Sequence, residues 1–168
     1  MKKSRIPIEI VVTILAALSC LVSVPSLQLP VWALFIGWAW YFALGGTPEV
    51  LKKIYPAMLP GSLLAVLCIW LANLLVGYMP GLLAVIVAVL ITVAILMYML
   101  RIPLTSATLP AFNAYSCVFA AFYGKQFYNP TGDFVRDLWV AFATVFIACA
   151  LGPLFGYLSV FFTFAKEK

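Results

Sequence analysis

Proline, glycine and charge break an otherwise apolar chain into six stretches, at about Pro7 to Val24, Val31 to Leu44, Pro56 to Tyr78, Gly81 to Leu100, Ser106 to Tyr123 and Phe134 to Phe164. The longer ones reach the roughly 20 residues that cross a hydrocarbon core of about 30 Å at a helical rise of 1.5 Å per residue. The second, led by Pro30, offers only about 14 to 16 residues, or roughly 21 to 24 Å of helix. Polar connections are short, so neighbouring helices are expected to run antiparallel.

Charge sets an orientation on this pattern. Six crossings from a cytoplasmic N-terminus put Lys2, Lys3, Arg5, Lys52, Lys53, Arg101, Lys166 and Lys168 on one side and leave Lys125 and Arg136 on the other. That asymmetry is the positive-inside pattern, with both termini inside. The same orientation survives if the two short segments both dip and return, because irregular backbone at membrane depth is tolerated where protein or a wet cavity satisfies it. The basic start and its apolar run are read as a retained first helix, since the run is long for a signal peptide and no A-x-A site follows.

The chain also aligns with itself. Shifted by 80 positions, Leu29-Pro30 meets Leu109-Pro110, Trp32 meets Phe112, Phe35 meets Tyr115 and Phe42 meets Phe122. On a helix these three aromatic positions fall within about 80° of one another. The expectation is an all-α integral membrane protein of six segments, built as an inverted three-plus-three repeat over residues 1–78 and 79–168. Such repeats place sites near the midplane, at interrupted helices.

Composition agrees, with 66% hydrophobic and 9% charged residues, against roughly 25% charged in soluble domains. The net charge of +5 forms no stripe and flanks apolar segments, which argues for a bilayer partner and against nucleic acid. Cys20, Cys68, Cys117 and Cys149 all lie in apolar stretches without a CxxC pair, and the chain has no histidine. Free buried thiols are expected, with no metal, no cofactor and no catalytic constellation. Glu9 is the one acid near an apolar segment and is placed at the headgroup level beside the N-terminal lysines, so coupling to protons or sodium has little support.

Neutral polar groups remain at depth: Thr105, Ser106, Thr108, Asn113, Tyr115 and Ser116, with Asn73 in the third stretch. A buried amide needs a hydrogen-bond partner. Asn113 and Asn73 therefore either bond neighbouring helices or line a polar path. Trp32, Trp38, Trp40, Tyr41 and Phe42 form either an interfacial belt or, with rings from the second copy, a slot for small flat solutes. Thr144, Ala148, Gly152 and Gly156 make a small-residue stripe beside Pro153, suited to close packing on a helix of the same or another protomer. Asn129 to Asp137 reads as a turn with Asp133 at a helix start.

At "LPVWALFIGWAWYFALGG" and "TLPAFNAYS" the chain resembles the domain-of-unknown-function 1097 family of small bacterial inner-membrane proteins, over almost its whole length. The resemblance implies a multi-pass inner-membrane protein and carries no activity. Ile102-Pro103-Leu104-Thr105 also resembles the start of the urea-transporter signature Leu-Pro-x-x-Thr-x-Pro-Phe, but the spacing to Pro110 and Phe112 does not fit.

The expected function is a channel or facilitator for a small uncharged polar solute in the bacterial inner membrane, with a homo-oligomer as the expected assembly. Trp32, Phe35, Phe42, Phe112 and Tyr115 are its expected aromatic lining, and Thr105, Thr108 and Asn113 its hydrogen-bonding groups. The alternative is a non-transporting accessory or scaffold protein whose polar residues join helices.

Overall fold

A computed structural model describes residues 6–163. Lys2, Lys3, Arg5, Lys166 and Lys168, which carry much of the expected charge asymmetry, lie outside these residues. The described residues form six α-helices and no strand: α1 (Ile8–Ser19), α2 (Val31–Ala43), α3 (Leu51–Leu75), α4 (Gly81–Met99), α5 (Thr108–Gly124) and α6 (Phe134–Thr163). Turns of 3-10 helix follow α1 and precede α3 and α5.

The helices form where the apolar stretches lie, with two instructive differences. α3 begins at Leu51 rather than Pro56, and Pro56 and Pro60 sit inside it. Pro56 deprives the Lys52 carbonyl of its helical donor, and Lys52 is exposed one turn from the helix start, where polar surroundings can replace the lost bond. Burial of Ile54, Ala57, Met58 and Gly61 helps the helix continue through both prolines. In α5, by contrast, the helix starts two residues before Pro110, whereas Pro30 caps α2 from outside. Pro110 fits the first turn because its missing N–H has no helical acceptor there.

α3, with its preceding turn, α4 and α6 are long and apolar enough to cross a membrane; α1 with its following turn and α2 are shorter apolar helices. Large apolar side chains such as Leu63, Trp70, Leu82, Ile86, Leu90 and Phe161 face outward, as lipid contact requires and water would not favour. The fold is of helical membrane type.

α3 and α6 meet at the centre, and the two short helices are carried crosswise: α2 packs along α6, while α5 packs along α3. α4 lies against α3 and α1 against α6. Glycine makes both crosswise contacts possible. A Cβ on Gly61 would fall closer than 3.0 Å to the Ala111 carbonyl of α5, and one on Gly152 would strike the backbone of Leu34, Gly37 and Trp38 in α2. The buried stripe Thr144, Ala148, Gly152 and Gly156 thus finds its neighbour in α2 of the same chain.

The α5–α6 loop is tied down by charge-assisted bonds. Asp133 Oδ1 accepts the Arg136 N–H at 2.7 Å and so caps α6. The buried Asp137 carboxylate accepts from Thr131 N–H, the Thr131 hydroxyl and Gly132 N–H, and pairs with Arg136 at 3.0 Å. Asn129 N–H donates to Gln28 Oε1 at 3.0 Å, joining this loop to the one before α2.

Candidate functional site

α2 and α5 lie side by side, and a groove of about 370 Å³ runs between them. Trp32 and Ile36 supply one wall, four residues apart on α2; Asn113, Ser116, Cys117 and Ala120 supply the other from a single face of α5. Helical periodicity brings each set together, since positions three, four and seven apart share one side. At one end Trp32 also borders a mouth of about 480 Å³ lined by Ser23, Gln28, Lys125, Gln126 and Phe127. The two hollows therefore meet at one indole ring.

The chemistry of the groove is neutral. Ser116 donates its hydroxyl to the Phe112 carbonyl one turn back, at 3.0 Å. Asn113 is half-buried and makes no side-chain hydrogen bond among the described residues. Its carboxamide keeps two donors and an acceptor free, facing the groove. The cation at the mouth is Lys125, exposed and in the left-handed conformation at φ 51°. One turn beyond Ile36 on α2 stands Trp40, 1% exposed, whose indole N–H has no partner.

The other expected site residues are distributed around this groove rather than along it. Tyr115 is buried on the far side of α5, its hydroxyl 3.0 Å from Thr92 Oγ1 on α4. Phe35 is exposed on the outer face of α2 and contacts Trp38, with ring centroids 6.1 Å apart. Phe42 is exposed near the end of α2 against Tyr41. Phe112 packs half-buried against the core. Thr105 donates to the Met99 carbonyl at 2.5 Å, closing the end of α4, and borders a separate apolar hollow beside Pro56 and Pro60. Thr108 is exposed in the first turn of α5, and Asn73 is exposed on α3. Trp32 and Asn113 are the two that the fold brings together.

The aromatic positions matched by the 80-residue shift share surroundings only in part: Trp32 and Phe112 both pack half-buried against the core, whereas Phe35 is exposed where Tyr115 is buried and bonded, and Phe42 is exposed where Phe122 packs against the core. In the packing, α2 lies on α6 and α5 on α3. Ile36, Cys117 and Ala120 in the groove and Gln28, Lys125 and Gln126 at its mouth were not anticipated. The first group was legible as helical neighbours of Trp32 and Asn113; the second depends on loop placement.

All four cysteines are free, Cys20 exposed and the other three buried. Among the described residues no three His, Cys, Asp or Glu side chains are grouped to hold a metal.

No curated protein and no solved structure matches this chain. Residues 9–164 match the profile of the DUF1097 family, described as proteins of unknown function. With a helical membrane-type fold and a match over nearly its whole length, the chain belongs to the DUF1097 family.

Proposed function

We propose that this protein is a channel or facilitator of the bacterial inner membrane for a small uncharged polar solute, without a catalytic step. Its six helices cross as an inverted three-plus-three design, with both termini in the cytoplasm. The mouth at Lys125 then opens on the opposite side, and α2 and α5 bound the path.

The observation that carries this reading is the free Asn113 carboxamide in a groove that joins the mouth at Trp32. An amide in a hydrocarbon setting costs free energy unless it is bonded, so an unbonded one beside an open groove is suited to exchange hydrogen bonds with a passing molecule. The solute enters between the Gln28 and Gln126 side chains, where Lys125 repels cations, and passes the face of Trp32 to Asn113. Hydrated ions are excluded because nothing in the groove replaces their water shell.

Proteoliposome swelling across urea, short amides, glycerol and ammonia tests the proposal. Permeation of at least one of these above that of empty vesicles supports it; permeation of none removes it. The competing reading, a packing scaffold, predicts that Asn113 bonds a partner protein and that vesicles stay impermeable.

A further inference from the structure

We propose that the hollow beside Pro56 and Pro60 seats an acyl chain of an anionic phospholipid, whose phosphate is held at its rim by Lys52, Lys53 and Arg101. The proposal rests on the helical membrane-type fold and is independent of solute permeation.

The hollow has a volume of about 620 Å³, within the roughly 300–1,000 Å³ of ligand sites. Pro56, Pro60, Leu63 and Leu67 of α3 form one wall, and Met99 at the end of α4 and Leu104 in the turn before α5 form the other. Leu63, Leu67 and Leu104 remain exposed, so the hollow opens on the outer surface of the bundle. The hydroxyl of Thr105, which also borders it, is already donated to the Met99 carbonyl. Such walls suit hydrocarbon.

The rim is basic. Lys52 precedes Pro56 by one turn, and at 100° per residue Lys52, Pro56, Pro60, Leu63 and Leu67 fall within about 80° of one another. Lys53 stands at the edge of the same stripe. Arg101 lies in the chain between the lining residues Met99 and Leu104, and its guanidinium covers the Tyr98 ring at 4.9 Å from the centroid. All three cations are exposed, and none makes an ion pair among the described residues. Glu49, exposed three residues before Lys52, offsets one of these charges and leaves an excess of positive charge.

An anionic headgroup on an acyl chain matches both parts of this surface. Basic pockets between membrane helices attract such headgroups. A zwitterionic lipid brings its own cation to the rim, and a free phosphate leaves the apolar walls uncovered. A second copy of the chain, turned about an axis along the membrane normal, would bring its own Lys52, Lys53 and Arg101 to the same level. Like charges set against one another disfavour that contact.

The test titrates delipidated full-length protein in detergent with phosphatidylglycerol, phosphatidylcholine or glycerol phosphate, and native mass spectrometry reads what stays bound. Phosphatidylglycerol is expected to bind at least tenfold more tightly than phosphatidylcholine, and glycerol phosphate not to bind. The Lys52→Gln, Lys53→Gln, Arg101→Gln variant is expected to lose the preference, and Leu63→Trp, which fills the hollow, to weaken both lipids. Equal binding of the two lipids by the parent chain, binding of glycerol phosphate as tight as that of the lipid, or an unchanged preference in the folded triple variant overturns the proposal. So does unaltered lipid binding by Leu63→Trp, or a dimer of the chain that excludes lipid. Should the triple variant fail to fold, ionic strength decides with the parent chain. Salt screens exposed charges and is expected to abolish the preference, and a preference that persists in high salt overturns the site.

Discussion

Gly37 on α2 meets the Cys149 carbonyl of α6 so closely that a Cβ at position 37 would lie under 3.0 Å from the oxygen. That carbonyl is the one Pro153 leaves without its helical donor, because proline has no N–H. The glycine Cα–H fills the gap as a weak donor, a contact common where helices approach closely. The small residue on one helix and the proline on the other are therefore one device, and it fixes α2, a wall of the groove, to the centre of the bundle.

Gly37→Ala and Gly152→Ala are accordingly expected to force α2 away from α6. Overpacking of this kind costs about 1–3 kcal/mol, and thermal unfolding in detergent measures it. Gly81→Ala serves as control, since a Cβ there meets nothing within 4 Å, and its melting temperature is expected to stay at or above that of the parent chain.

Asn113→Leu and Tyr115→Phe separate the groove from the packing behind it. Tyr115 bonds Thr92, which also donates to the Ala88 carbonyl at 2.8 Å. Loss of one such bond between membrane helices costs about 0.6 kcal/mol, and permeation is expected to be unchanged. Asn113→Leu removes the free amide, leaves stability intact and is expected to lower permeation at least tenfold. Parallel melting and swelling curves distinguish the two variants.

Asp137→Asn replaces a carboxylate that accepts from two backbone N–H groups, one hydroxyl and Arg136. An amide has a single acceptor oxygen and its NH₂ faces those donors. The loop and the start of α6 are expected to loosen together, read as faster proteolytic cleavage between residues 125 and 134 and a lower melting temperature.

The six apolar stretches were legible because proline, glycine and charge interrupt them, and α2, α4 and α6 begin where the sequence places them. The start of α3 was not: Pro56 looks like a boundary in sequence, yet the carbonyl it frees lies near the helix end and leaves the turn intact. The aromatic repeat drew attention to α2 and α5, whose groove Trp32 lines, while Phe35 is exposed and Tyr115 bonds Thr92. A periodicity argument gives the face a residue shares, whereas its neighbour depends on which helix packs there. The crosswise placement of α2 on α6 and α5 on α3 depends on backbone approach at Gly61 and Gly152, which hydrophobic patterning does not register. The mouth was missed because Gln28, Lys125 and Gln126 meet only after two loops fold together.

The path between α2 and α5 is tested most directly by Ser116→Cys, with the native cysteines replaced by alanine. A small membrane-impermeant thiol reagent added from the Lys125 side is expected to label position 116 and to stop solute-driven swelling of proteoliposomes, while Val118→Cys, buried in the core, stays unlabelled and permeable. Complete labelling at position 116 with swelling unchanged contradicts the account.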